Sequence, residues 1–406
     1  MHFSLRSKIS IAISLLLIFV VGLTLFVSAR SGVRAANLQS GSANWKMFGY
    51  NAAHTGYNPL ETTITPSNVS QLTPDWQVAT GETSSPVEAN GIVYVAADKL
   101  YAINASTGAT VWTLTLPFTV SPTTPTVING VIYVDRSGTL YALNAATGAA
   151  IWTAAVPPVN GFDTSPVVAG GLVYVGMKNS KLRAYDAATG KPHWTVQMVG
   201  GNMQGGPAVA NGIVYTDAGT MMYALDAKTG ATKWTFTASA GTGFTPTVAN
   251  GLVYFGTGGS TPTFYALNAS TGALVWSFQE NRDTADFAEG IAVANGIAYI
   301  PTFDGYLYSV DALTGAQRWT VYLKIYSGTN LLTAATVANG VVYIGDTSSP
   351  IGQNSLFAFD AGTGTQLWSS SFVEVSFYSA LVVENGRVFV GATNEVVSFH
   401  LPGTTH

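Results

Sequence analysis

An eleven-residue pattern ending in T-G-x-x-x-W occurs seven times along the chain, at residues 102–112, 142–152, 184–194, 224–234, 266–276, 309–319 and 358–368. AYDAATGKPHW (Ala184–Trp194) and ALNASTGALVW (Ala266–Trp276) are typical copies. A repeat of this kind decides architecture before any single residue is weighed, because each unit buries its apolar face only against its neighbours. By length alone, 406 residues suggest two or three domains. The repeat overrides that expectation and predicts one continuous array. Only 9% of the residues are charged, against about 25% in average proteins, and there are 43 glycines. That profile describes a β-rich, turn-rich chain and excludes a disordered one.

Each repeat reads as four strands. In the third copy these are SPVVA (Ser165–Ala169), LVYVG (Leu172–Gly176), KLRAYDA (Lys181–Ala187) and a last strand around Trp194. Short β-prone segments separated by turn residues make an antiparallel meander. The first turn is Asn-Gly at Asn90, Asn129, Asn211, Asn250, Asn295, Asn339 and Asn385, with Gly170-Gly171 in the remaining repeat. Asn-Gly tolerates the positive φ angles of a two-residue hairpin. In the second turn, Asp or Asn stands four residues before Gly, as Asp186 does before Gly190. Its side chain can bond the turn backbone.

Eight first hairpins face seven T-G turns. The last repeat (Ala380–Leu401) supplies three strands, and Trp76 stands alone ahead of the first repeat. The segment Asp75–Thr80 therefore supplies the fourth strand of the last unit and joins the two ends of the array. The prediction is an all-β, eight-bladed β-propeller of four-stranded antiparallel blades, closed by an N-terminal strand. The Asn-Gly and T-G turns fall on one uniform face. The longer, dissimilar links fall on the other.

Residues 1–36 are a separate segment. Arg6 and Lys8 precede an apolar run at residues 9–27, predicted as a hydrophobic helix. It reads as a cleaved export signal or as an uncleaved signal anchor, and the alternatives stay open. Either places the remainder outside the cytoplasm, in the cell envelope, membrane-anchored or secreted. Residues 37–44 are a linker, and residues 45–402 form the propeller, expected as a monomer. With net charge −4 and no basic run, the chain lacks a nucleic-acid footprint. It has no cysteine, which excludes disulfides and thiol chemistry.

The repeat A-x-D-x-x-T-G-x-x-x-W resembles the tryptophan-docking motif of the PQQ-type (quinoprotein-like, BamB-like) eight-bladed propellers. The opening WKMFGYNAAHTGYNP (Trp45–Pro59) resembles the start of many such domains. The resemblance covers roughly residues 45–402. It implies a docking role for Trp76, Trp112, Trp152, Trp194, Trp234, Trp276, Trp319 and Trp368. A large aromatic on the outermost strand can cover the neighbouring blade while its N–H finds a backbone acceptor. The resemblance also embraces two functions. One is the non-catalytic scaffold, as in BamB-like outer-membrane assembly proteins. The other is the quinone-dependent dehydrogenase, with a stacking Trp, often a disulfide of adjacent cysteines, and a calcium ion held by Glu, Asn and Asp. Of nine Trp, eight are docking residues and Trp45 precedes the propeller. No tryptophan is left to stack on a quinone, so PQQ with calcium is disfavoured.

Other chemistry is sparse. His2, His54, His193, His400 and His406 show no metal-ligand spacing. His54 is expected to cap a local turn and His193 to lie on the surface. Arg136 and Asp163 are expected as solvated loop charges. No G-x-S-x-G elbow, P-loop or EF-hand loop is found. Binding is expected on the variable links, where a rigid scaffold carries its recognition loops. The most distinctive link, Gln279–Gly290, gathers Glu280, Arg282, Asp283, Asp286 and Glu289. Gly200–Gly206, Gly256–Thr263 and Gly345–Ser355 also depart from the repeat. The function read from the sequence is an exported, membrane-associated scaffold that binds a protein or an extended polymer of the envelope, with no catalytic or metal residues assigned. A quinone-dependent oxidoreductase is the first alternative. A carbohydrate- or wall-binding module is the second.

Overall fold

The computed structural model describes residues 44–117, 123–155, 164–177, 179–203, 205–242, 245–259, 262–279, 290–323, 332–347, 355–370 and 379–403. All of them belong to one compact unit, residues 43–406. Among these residues the strands form eight sheets. Blades 1 to 7 span residues 87–114, 126–155, 167–197, 208–237, 247–279, 292–322 and 336–370. Blade 8 spans residues 382–400 and takes its fourth strand from Thr73–Ala79 near the N-terminus. That closing strand runs antiparallel to Glu395–His400, with Trp76 opposite Ser398. It is latched at its outer end, where the Asp75 carboxylate meets Arg387 and, at 3.0 Å, the ring of His400.

Why these segments form these strands is visible in burial. In blade 3, Leu172–Met177 is buried at every position, as a strand covered on both faces must be. The fourth strand, Pro192–Gln197, alternates between half-buried and exposed positions, because its outer edge meets solvent. Each Asn of the Asn-Gly hairpins sits at φ between 43° and 56°, in the left-handed region that such turns require. In the second turn of blade 3, Asp186 Oδ1 accepts from the Thr189 amide (2.8 Å) and hydroxyl (2.7 Å).

One contact recurs between blades. The indole N–H of Trp112 donates to the Ala145 carbonyl of blade 2 (3.1 Å), and Tyr94 Oη donates to the same oxygen (3.1 Å). The same Trp–Tyr pairing on a single carbonyl is found at Ala187, Ala227, Ala269, Ala312 and Ala361. The T-G glycine lies flat under the preceding indole. A Cβ added at Gly190, whose φ is 69°, would stand 2.5 Å from the Trp152 ring. The seam between blades 7 and 8 breaks the rule. The closing strand has no T-G turn, so Trp368 donates instead to Leu72 (3.3 Å), and the buried Tyr343 hydroxyl finds no partner among the described residues.

The hydrophobic helix expected within residues 1–36 lies outside the described residues, as do the linker residues 37–43 and Asp163. Among the described residues no helix is long and apolar enough to cross a membrane. Their one helical element is a short 3-10 turn, Val69–Gln71. Arg136 corrects a sequence expectation. It is no solvated loop charge but only 1% exposed, and its guanidinium donates to the Ala97 carbonyl of blade 1. Its position explains this: it ends the second strand of blade 2, against the neighbouring blade.

Candidate functional site

The segment that opens the propeller forms a strap across its axis. The innermost strand of a blade has no neighbour within its own blade on the axial side, and in blade 7 Tyr57–Asn58 of the strap pairs with it in parallel as a fifth strand. The strap carbonyls accept in turn from the central N–H groups of these innermost strands. Glu88 donates to Trp45 (2.8 Å), Val127 to Lys46 (2.7 Å), Val209 to Ala52 (2.6 Å), Val248 to Ala53 (2.8 Å), Val293 to Thr55 (2.8 Å) and Val337 to Gly56 (2.8 Å). Asn58 Nδ2 donates to the Val383 carbonyl (2.8 Å). Residues 45–58 thus touch blades 1, 2, 4, 5, 6, 7 and 8. Buried backbone donors must be satisfied, and the strap satisfies these.

Local sequence explains the strap's shape. Gly49, Tyr50, His54 and Gly56 all take positive φ. Asn51 Oδ1 accepts from the amides of Ala53 (3.1 Å) and Thr55 (3.3 Å), and its Nδ2 donates to Thr55 Oγ1 (2.8 Å). A Cβ at Gly49 would stand 2.8 Å from His54 Cα, so the loop closes only with glycine there. The strap lies on the uniform-turn side. Asn44 bonds Asn90, Tyr57 bonds Asn295, and Asn339 donates to the Ile64 carbonyl, all at Asn-Gly hairpins.

On its other side lies a small axial cavity. Trp45, Phe48 and His54 of the strap line it, with Thr245, Thr247 and Thr336 from the entries to blades 5 and 7. His54 is 3% exposed, and its ring meets Phe48 edge-on at 5.6 Å. Burial lowers its pKa to about 4, opposed in part by the Pro246 carbonyl. That carbonyl faces the ring but closes no hydrogen bond of regular geometry with either ring nitrogen. The imidazole is therefore neutral at pH 7. Two sequence expectations are corrected here. His54 does sit in a turn, yet its ring caps nothing and is buried on the axis. Trp45 does not stand ahead of the propeller but inside it, edge-on to Tyr50 at 5.2 Å.

A second buried group was missed from the sequence. Glu88 and Glu384 replace apolar residues in the inner strands of blades 1 and 8, and both are buried. Glu384 accepts from the Trp45 amide (2.8 Å), and Glu88 accepts from the Gly91 amide (2.5 Å). Glu61 completes the acidic group at the seam and accepts from the Gly386 amide (3.0 Å). Desolvation, and then the neighbouring Glu88, push the Glu384 carboxyl up to about 10. Burial also raises Glu88. The sequence signal was present as a charged residue in an otherwise apolar triplet, VEA or VVE. Nothing in one sequence says that two such triplets meet.

Among the described residues, no three His, Asp or Glu side chains gather as a cation site. Glu280, Arg282, Asp283, Asp286 and Glu289 lie outside the described residues.

A family model described as "Outer membrane protein assembly factor BamB" matches residues 29–182, 123–204, 178–330 and 304–400. The chain belongs to this family of PQQ-type repeat propellers. It is 26% identical over 235 residues to the outer membrane protein assembly factor BamB of Moranella endobia, covering 55% of this chain and 57% of that protein. It is 30% identical over 265 residues to the tetrathionate hydrolase of Acidithiobacillus ferrooxidans, covering 56% of this chain and 52% of that one. The chain thus spans little more than half of either relative. A europium-containing methanol dehydrogenase shares the fold, with TM-score 0.73 at 16% identity, over 88% of this chain and 98% of that one.

Proposed function

We propose that this family member is an exported envelope scaffold that holds a protein partner on its variable-loop face. The observation that carries the reading is the strap. It occupies the axis from the uniform-turn side and bonds seven blades, so that side is committed to holding the ring together. The opposite side keeps links of differing length and composition on a rigid base, where recognition is cheapest to evolve. The BamB family match supports a protein partner and an envelope location. Residues 1–36 supply the export signal or anchor. Glu280, Arg282, Asp283, Asp286 and Glu289 form part of the contact surface in the link after blade 5.

The rival reading, a quinone-dependent oxidoreductase, asks for a calcium-binding carboxylate set and a stacking platform on the axis. The described residues do not fit. No carboxylate lines the axial cavity, whose polar groups are His54 and threonines. Trp45 reaches the cavity, but Tyr50 packs against its ring.

The test is capture of envelope proteins by the full-length chain and by a variant with all five charged residues replaced by serine. Exposed charges act on association rate and salt sensitivity. Capture should weaken most at low salt while thermal stability stays near that of the parent. Undiminished capture, with an altered Gly345–Ser355 loop as comparison, would remove this surface from the proposal. A bound chromophore and dye reduction after incubation with quinone and calcium would favour the oxidoreductase.

A further inference from the structure

We propose that the axial cavity at His54 is a binding site for one neutral hydrogen-bond donor the size of water, held by the imidazole and by threonine hydroxyl oxygens. Space comes first. The room open to the centre of a water molecule is about 10 Å3, which matches a site for a single water.

The hydrogen-bond inventory comes next. Thr247 donates its hydroxyl hydrogen to the His54 carbonyl (2.9 Å), and Thr336 donates its own to the Leu381 carbonyl (2.6 Å). Both therefore turn only lone pairs toward a guest. Thr245 Oγ1 accepts from the Gly206 amide (3.1 Å), which leaves its hydrogen available. A neutral imidazole has one nitrogen that accepts and one that donates. Among the described residues neither buried His54 nitrogen closes a hydrogen bond of regular geometry, and only the Pro246 carbonyl faces the ring. With the N–H turned toward Pro246, the other nitrogen presents a lone pair. The lining is thus dominated by acceptors, and the guest must donate.

Charge then narrows the class. Among the described residues no Lys, Arg, Asp or Glu lines the cavity. A cation or an anion would enter without a counter-charge, which burial penalises heavily. An apolar guest, or none, would leave the imidazole unsatisfied in the core. Water meets every condition. Any neutral molecule carrying two donor hydrogens on one small heavy atom meets them equally.

The experiment uses the full-length protein labelled with 15N-histidine. His54→Leu assigns the His54 signals. Cross-relaxation between the His54 ring protons and a long-lived water is expected in the parent. Water relaxation dispersion should report one long-lived water fewer in His54→Leu, while His54→Gln, which keeps an acceptor, should retain it. No cross-relaxation in the parent would overturn the proposal, and should His54→Leu fail to fold, His54→Gln supplies the assignment. Displacement of the His54 resonances by ammonium chloride, but not by sodium chloride, would also overturn it, because the guest would then be a cation.

Discussion

Two tyrosines in equivalent positions should respond to the same change with opposite signs. Tyr299 and Tyr343 occupy the third place of the second strand in blades 6 and 7. Both hydroxyls are buried. Tyr299 donates to the Ala361 carbonyl at 3.1 Å, and Trp319 serves the same oxygen, so the acceptor stays satisfied when the tyrosine hydroxyl is lost. Tyr299→Phe therefore costs only the net value of one hydrogen bond, about 0.5–1.5 kcal/mol. Tyr343 has no acceptor among the described residues, because the T-G turn that supplies one elsewhere is absent from the closing strand. Burying an unbonded hydroxyl costs about 1–3 kcal/mol on the scale of protein mutations. Tyr343→Phe removes that cost and leaves the ring packing in place, so it should stabilise by about 1 kcal/mol. The two variants should differ by roughly 2 kcal/mol in urea unfolding, read from midpoints at unchanged slope. If Tyr343→Phe destabilises as much as Tyr299→Phe, the Tyr343 hydroxyl is bonded in solution and the account of the closing seam is wrong.

Further outcomes follow from the same contacts. Trp194→Ala removes a ring that packs between blades and donates to Ala227, and should cost about 3–5 kcal/mol by thermal or urea unfolding. Deleting residues 45–80 removes the strap and the closing strand together, and the product should aggregate or unfold; a deletion as stable as the parent would disprove closure. Glu384 titrates higher in the folded chain than in the unfolded one, so the folded state binds the extra proton between the ordinary carboxylate range and about pH 10. Stability from this group is present at acid pH and falls as pH rises through that window; Glu384→Gln should flatten the fall in a stability–pH series. His54 has the opposite sense. Its folded pKa of about 4 lies below the ordinary 6.5, so its contribution is lost as pH falls through that interval, and His54→Gln should remove this acid loss.

The blades were legible because their chemistry is local and repeated. Asn-Gly dictates a hairpin wherever it stands, and of seven indoles at a fixed distance from a glycine six make one shared contact, Trp368 departing from it. The mismatch between hairpins and T-G turns was enough to place Trp76 in the last blade. The axis was not legible. His54 and Trp45 lie outside the repeat, Glu88 and Glu384 each break it at one inner-strand position, and their meaning depends on partners up to 339 residues away. Arg136 was misread for a related reason: a charge beside a turn looks solvated until the neighbouring blade is placed over it. Glu280 to Glu289 have a composition but no repeating frame, so no blade position assigns them a role.

The strap also sets an order of events during synthesis. Residues 45–58 are made before any blade, yet their partners are spread along the chain to Val383 and Glu384. The first part of the propeller to be made is therefore among the last to find its place. Blades can form as local meanders while the chain grows, since each is built from neighbouring residues. The axis cannot be filled, nor the ring joined, until blade 8 exists. A chain that stops short of residue 384 carries a complete strap with part of its anchorage missing, together with inner edges left unpaired. Loops that span most of a chain form slowly, and exposed edges in the interval invite association between chains. The finished ring owes its closure to one late event, and that interval is when this protein is most exposed to its own copies.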